Sequence, residues 1–273
     1  MTRRPLLLAL LCLTLGLTGA PRLAAQGSDP LFSGFEPYGE MLLSVDGEAA
    51  PKARLYYSKR AQAFLVRSAE LESPVLLDVP GRSVVKLDLL KVAERRDGSI
   101  DLIADAVLEP AGSYQVNGEG RVDFSVDGRR LSLTQNPHML GPHSGRELLE
   151  HDAYYRFLSN RYTPSGGAVD KLRVAGSRVR VLTFFGSWCP HCREHVPLLL
   201  KAEAALDGSG VEFDYYGLPQ TKVADEPEAK KYGVTGVPTS IVFVDGKEAG
   251  RIPSSGWKHP EVALADLVAN PAP

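Results

Sequence analysis

From about Met41 to Leu133, apolar and polar residues alternate in short runs: MLLSV, ARLYYS, AFLVRS, SVVKLDLLKV, SIDLIADAV, RVDFSV and RLSLT. A period of two sends successive side chains to opposite faces of an extended ribbon, so each run predicts a strand with one buried face. Between the runs stand Asp46-Gly47, Asp97-Gly98, Asn117-Gly118 and Asp127-Gly128. Such pairs tolerate the positive φ angles of tight hairpins, so consecutive strands should pair antiparallel. The expectation is a mainly antiparallel β domain, a sandwich or an open barrel.

The pattern then changes. A turn-rich stretch from Asn136 to Gly145 is followed by Leu148, Leu149, Tyr155, Phe157 and Leu158 at helical spacing, which predicts a linker helix through Arg161. Its tyrosines and leucines read as core. Thr163-Pro164-Ser165-Gly166-Gly167 should end it, because proline and paired glycines oppose helical geometry, and this marks a domain boundary. The remainder reads β-α-β-α-β-β-α. Strands are expected at Val179 to Phe185, Val211 to Tyr216, Ser240 to Val244 and Glu248 to Ile252, with helices at Pro190 to Leu206, Glu226 to Lys231 and Pro260 to Val268. Strands alternating with helices imply a mixed sheet covered on both faces.

Composition and charge then narrow the function. Arg3 and Arg4 precede an apolar run from Leu6 to Leu17 that closes in small residues near Ala24 and Ala25, the form of a secretory signal cleaved after about residue 25. Cys12 would leave with it. The remaining chain carries 28 basic against 33 acidic side chains, a formal charge of −5, with no basic block to follow a phosphate backbone, so nucleic acid is excluded as a partner. Length and pattern divide the chain into a signal at 1–25, a β-rich domain at 26–144, a linker helix and turn at 145–167 and an α/β domain at 168–273.

Processing leaves Cys189 and Cys192. Two cysteines three positions apart close too small a loop to staple a domain, so the pair reads as reactive chemistry or a metal site. Cys189-Pro190-His191-Cys192 follows the apolar run Val181-Leu182-Thr183-Phe184-Phe185, and Pro190 suits the first turn of a helix. Cys189 should therefore sit at a helix N-terminus, where unpaired N–H groups and the dipole stabilise a thiolate. His191 adds a cation nearby, which together lowers the thiol into the range of roughly 3.5–7.5 that such sites show. Cys189 would be the nucleophile and Cys192, deeper in the helix, would resolve the mixed disulfide.

Trp188-Cys189-Pro190-His191-Cys192 resembles the active site of the thioredoxin superfamily, with the Pro-His dipeptide of its DsbA-type oxidases. Pro197 matches the proline that kinks the family's first helix, Gly236-Val237-Pro238-Thr239 its cis-proline loop, and Gly246 the turn glycine of its terminal hairpin. The resemblance covers about Val169 to Asn270. It implies a thioredoxin-like fold for the C-terminal domain and a cis Val237-Pro238 bond. The Val237 backbone would then pair with an extended substrate segment beside Cys189, with Trp188 facing the substrate.

The chain also departs from that family. Thr183 stands six residues before Cys189, where the family usually places a buried acid that takes the proton of the second cysteine. Glu194, Glu203 and Asp214 are the candidate substitutes. Only 45 residues separate Cys192 from Pro238, too few for the inserted helical domain of DsbA, so the scaffold looks closer to compact TlpA- and ResA-like thioredoxins, whose usual job is reduction.

The expected function is thiol–disulfide exchange on cysteine-containing exported proteins, in the periplasm or otherwise outside the cytoplasm, through Cys189 and Cys192. No cofactor is required, and a membrane redox protein would reset the pair. Oxidation ranks ahead of reduction or isomerisation. The alternatives are a DsbC-like homodimer formed by the β domain, and a ligand-binding or metal-carrying module. For the last, Cys189, Cys192 and His195 form a Cys-x-x-Cys-x-x-His set that lacks a clear fourth ligand. Arg193 stands where haem attachment would need histidine. The irregularly spaced His138, His143 and His151 read as surface histidines.

Overall fold

A computed structural model describes residues 33–103, 106 and 108–271. The expected signal and Cys12 lie outside the described residues. In chain order the strands of the first half are β1 (Glu36–Pro37), β2 (Met41–Val45), β3 (Glu48–Ala49), β4 (Arg54–Ser58), β5 (Ala63–Arg67), β6 (Val75–Asp78), β7 (Ser83–Leu87), β8 (Val92–Glu94), β9 (Ile100–Leu102), β10 (Leu108–Ser113), β11 (Gln115–Val116), β12 (Val122–Val126) and β13 (Arg129–Gln135).

Two antiparallel sheets result, in the orders β1-β4-β5-β6-β7-β10 and β11-β12-β13-β2-β3. Leu43, Val45, Phe124, Val126, Leu131 and Leu133 of the second sheet meet Leu55, Val66, Val75, Leu77 and Val84 of the first in one buried cluster. This is the packing of a sandwich. The opposite face of the first sheet is buried as well, under Phe35 and the β8–β9 hairpin, which supplies Ile100 and Leu102. Three strands that alternation did not predict, β1, β6 and β10, belong to this doubly covered sheet. Val75, Leu76 and Leu77 are all buried, so no polar alternation marks their strand.

Asp46-Gly47 and Asp127-Gly128 turn hairpins with positive φ at both residues, as the spacing predicts. At Asn117-Gly118 the geometry differs. The positive φ falls on Gly120, and the Asn117 side chain accepts from the Glu119 and Arg121 N–H groups to hold a longer loop.

The second half contains α1 (Gly145–His151), α2 (Ala153–Arg161), α3 (Gly166–Ala175), β15 (Val179–Phe185), α4 (Pro190–Ala205), β16 (Glu212–Gly217), α5 (Pro227–Lys231), β17 (Thr239–Val244), β18 (Lys247–Arg251) and α6 (Pro260–Ala269), preceded by β14 (Gly141–His143). The sheet runs β14-β16-β15-β17-β18, with β15 parallel to β16 and antiparallel to β17. It is mixed and covered on both faces, as expected. Asp245 and Gly246 turn the β17–β18 hairpin with positive φ.

Three local expectations are corrected. The turn-rich stretch also holds β14, an edge strand whose ladder with β16 no local pattern could announce. The linker helix is two helices, because Asp152 takes an extended backbone, ends α1 and caps α2 by accepting from Tyr154 N–H at 2.8 Å. The linker helix does end before Thr163-Pro164, but Gly166-Gly167 opens α3 rather than opposing a helix. Its first-turn N–H groups need no intrahelical partner, so glycine is tolerated there as it is not in a helix interior.

The turn between α2 and α3 is pinned by one fully buried acid. Glu261, in the first turn of α6, accepts from Tyr162 Oη at 2.7 Å and from Ser165 N–H at 3.0 Å. Glu261→Ala should cost about 2–4 kcal/mol, because it leaves a buried donor unpaired, and Glu261→Gln, which keeps an acceptor, distinctly less. Urea midpoints at unchanged m-value measure both.

Candidate active site

β15 is buried along nearly its whole length and delivers Gly186-Ser187-Trp188 to the head of α4. Cys189 is the N-cap residue, extended at φ −89° and ψ 120°, and Pro190 occupies the first helical position. No cap oxygen is present there. The Cys189 side chain makes no cap hydrogen bond, and the backbone N–H groups of Cys192 and His191 act on its sulfur as nearby positive dipoles. Hydrogen bonding from Cys192 is the largest influence holding this thiol down, burial opposes it, and the two N–H groups and the His191 charge add to it, so it falls from the ordinary 9.0 to about 6. Cys192 is fully buried and is moved the other way, first by desolvation and then by its bond to Cys189, with only Gly186 N–H at 3.4 Å to help a negative sulfur.

Val237-Pro238 is cis. The Cys189 sulfur donates to the Val237 carbonyl at 3.7 Å, so the cis-proline loop lies against the nucleophile as the resemblance implies. Trp188 is half-buried. Its Nε1 donates to Leu218 O at 2.8 Å, and a Cβ at Gly186 would come within 2.5 Å of its ring, so glycine is what lets the indole lie flat there. The exposed edge of Trp188 borders a cleft of about 110 Å³ whose other walls include Ser187, Gln220, Gly39, His138 and Asp152. His191 is exposed beside the pair.

The expected substitutes for the missing acid do not reach the sulfurs. Thr183 is buried in a hydroxyl pair with Ser240 at 2.7 Å. Glu203 accepts from Tyr215 Oη at 2.7 Å, and lies eleven residues, about 16 Å, down the helix from Cys192. Asp214 is ion-paired with Arg180 at 2.6 Å, and Glu194 is exposed. Among the described residues the Cys-x-x-Cys-x-x-His set does not converge. The side chains that do converge are His191, Glu194 and His195, within 4.8 Å of one another on the outer face of α4. His195 stacks on Trp257, and the positive end of the helix opposes a cation at that place. His138, His143 and His151 border one shallow depression with Glu147 and Glu150 but do not close on a common point.

Sequence reasoning missed Asp152, read Tyr155 only as core, as it is, and read Arg193 only as a departure from haem attachment. Arg193 follows Cys192 and is largely enclosed: its guanidinium lies over the rings of Tyr154 at 4.9 Å and Tyr38 at 5.5 Å, meets Glu40, and approaches Asp152 at 3.5 Å. Tyr38 and Glu40 come from the sandwich, so the β domain grips the active-site helix one residue past the second sulfur. Ser187 Oγ accepts from Met139 N–H at 3.0 Å on the other side of the loop. Burial pushes Asp152 up to about 6, against the Tyr154 N–H and the Arg156 charge. Tyr155 is almost wholly buried, shares a cluster with Cys189 and Cys192, and keeps a hydroxyl without a hydrogen-bond partner. The signal that was available is Asp152 itself, an N-cap residue type standing inside an apparent helix.

The thioredoxin family profile matches residues 170–266. Thioredoxin-2 of Saccharomyces cerevisiae is 32% identical over 89 residues, 32% of this chain and 79% of that protein. A thioredoxin of Chlamydia caviae is 34% identical over 73 residues and protein disulfide-isomerase A3 of Gallus gallus 36% over 73 residues, and this chain spans 65% and 13% of their lengths. The X-ray structure of Fasciola hepatica thioredoxin is 28% identical, over 36% of this chain and 89% of that one, with a TM-score of 0.27. By its C-terminal domain, the chain belongs to the thioredoxin family.

Proposed function

We propose that this protein is a thiol–disulfide oxidoreductase that acts outside the cytoplasm on cysteines of exported proteins. The observation that carries the reading is the Cys189 sulfur at the head of α4, held near 6 beside a second thiol held high. At neutral pH such a sulfur is mostly thiolate, the attacking form in exchange. In the proposed cycle Cys189 forms a mixed disulfide with the substrate. Cys192 then attacks Cys189, the substrate thiolate leaves, and the Cys189–Cys192 disulfide closes; oxidation of a substrate runs the same steps backwards. The Val237 backbone offers a strand-like edge to an extended segment, and Trp188 and the cleft beside it border that segment. Export is part of the proposal and rests on the leader-like residues Arg3 to Ala25. Among the described residues no helix is long and apolar enough to cross a membrane. A membrane redox protein would reset the pair, and the sandwich would recognise a partner or pair with a second copy.

The Pro-His dipeptide supports donation of disulfides. A second reading, reduction or isomerisation, is favoured by the thiol itself, because about 6 lies nearer the value of about 7 quoted for thioredoxin than the value of about 3.5 quoted for the strong oxidant DsbA. Equilibration with glutathione separates them: a potential near about −120 mV supports the oxidase and one near about −270 mV the reductase.

Cys189→Ala should abolish insulin reduction and scrambled-RNase turnover, and retained turnover would end the exchange reading. Alkylation of Cys189 should titrate with a midpoint near 6. The same depression has a stability consequence. The unfolded thiol ionises near 9.0, so the reduced chain gains stability relative to its disulfide form as pH rises from 6 towards 9, and loses it as pH falls back through 6. Cys192, pushed up by burial, stays protonated across that window. Urea midpoints of the reduced and oxidised chains at pH 6 and pH 9 measure the difference.

A further inference from the structure

Resolution of the mixed disulfide needs a negative charge on the sulfur least able to carry one. Cys192 is fully buried, and the backbone gives it one N–H, from Gly186. Thr183, on the strand six residues before Cys189, is already satisfied by Ser240. Glu203 is bound to Tyr215, and Asp214 to Arg180. The local sequence around the motif therefore supplies no group to help.

Help is available from outside the family's domain. Tyr155 projects from α2 into the buried cluster that contains both sulfurs. It is 2% exposed, and its hydroxyl has no hydrogen-bond partner. An unpaired buried hydroxyl costs about 1–3 kcal/mol, so its retention calls for an explanation, and a neighbouring sulfur that becomes charged during exchange supplies one. We propose that Tyr155 is a catalytic residue, whose hydroxyl donates a hydrogen bond to the Cys192 thiolate as that sulfur displaces the substrate from Cys189. The inference rests on the exchange chemistry proposed above and adds the group that makes its second step possible.

The surroundings fit a donor. Burial, and then the charges of Cys192, Asp152 and Cys189 in that order, push the phenol well above its ordinary 10.0, so it keeps its proton throughout the working range. The charged groups on the elements packed here are the two sulfurs and Arg193 of α4, Asp152 and Arg156 on the linker, and Glu40 from the sandwich, which meets Arg193. Asp152 and Glu40 offset the Arg193 charge.

The reduced full-length chain mixed with excess dithionitrobenzoate, an aromatic disulfide, tests this in one trace. In the first step the Cys189 thiolate attacks a probe sulfur, the probe's S–S bond breaks, and one coloured thiolate leaves with the electron pair. In the second, Cys192 loses its proton to solvent and attacks Cys189, the bond from Cys189 to the aryl sulfur breaks, and the second coloured thiolate leaves. The protein dithiol is oxidised to the Cys189–Cys192 disulfide and the probe is reduced to two thiolates. The first phase scales with probe concentration and the second does not.

Tyr155→Phe should leave the first phase unchanged and slow the second about ten- to hundredfold, the loss of one hydrogen bond to a charged sulfur. The pH of half-maximal second phase should rise by about one to two units, since the thiolate has lost its donor. A second phase within about twofold of wild type, at an unmoved pH midpoint, overturns the assignment. A variant with a damaged fold slows both phases, and the pH midpoint then decides, moving upward if Tyr155 is the donor and staying in place if it is not. A wild-type chain that releases no second thiolate would instead sink the exchange reading itself.

Discussion

Everything at the site depends on a sulfur standing where a helix expects a capping oxygen. The first N–H groups of α4 have no intrahelical acceptors, and a serine or aspartate at the N-cap would ordinarily take them. Here Cys189 occupies that place without a formal cap hydrogen bond, and the N–H groups of Cys192 and His191 favour charge on its sulfur. The helix terminus and the thiolate satisfy one another, so the cap is strongest when the sulfur is charged. Oxidation to a disulfide removes that charge. The same interaction that makes Cys189 reactive therefore favours the reduced form of the protein, which links its nucleophilicity to its redox poise.

Such a cap works only if the helix head is held still. β15 anchors it from below through side chains buried on both faces, and Pro197 sits buried inside α4, where its missing N–H leaves the Arg193 carbonyl without the usual helical bond. One turn earlier, Arg193 is enclosed by Tyr38, Glu40, Tyr154 and Asp152, residues of the sandwich and the linker. Gly39 passes so close to Asp152 that a Cβ would fall 2.0 Å from its carboxylate oxygen, so the chain there admits only glycine. The sandwich is thus built against the site.

What was legible in the sequence was what short-range physics dictates. The strand before Cys189, proline at the first helical position and the Asp-Gly hairpins all follow from side chains and backbone within a few residues of one another, whereas the Val237-Pro238 loop was legible only through the family resemblance. The elements that were not legible owe their form to distant partners. β14 is a strand because β16 lies beside it, β6 hides its alternation because both faces are covered, and α3 begins on glycines because Glu261, nearly a hundred residues away, takes the Ser165 N–H. At the site the division is the same. Cys189, Cys192 and His191 declare themselves by spacing, whereas Asp152, Tyr155 and Arg193 matter only through what the fold sets against them.

The two sulfurs also set an asymmetric problem that one helix cannot solve. A terminus has a single set of free N–H groups, and they serve the residue at the cap. A sulfur three positions further in is already inside the hydrogen-bonded part of the helix and away from water, so whatever stabilises its charge has to come from a packed neighbour. In this chain the strand beneath offers a neutral hydroxyl pair, Thr183 with Ser240, already committed to one another. The linker crossing behind α4 offers a phenol with nothing to bond. Because Asp152, which meets Arg193, also caps α2, the linker that meets the β domain at Arg193 is the same one whose Tyr155 shares the buried cluster of the second sulfur.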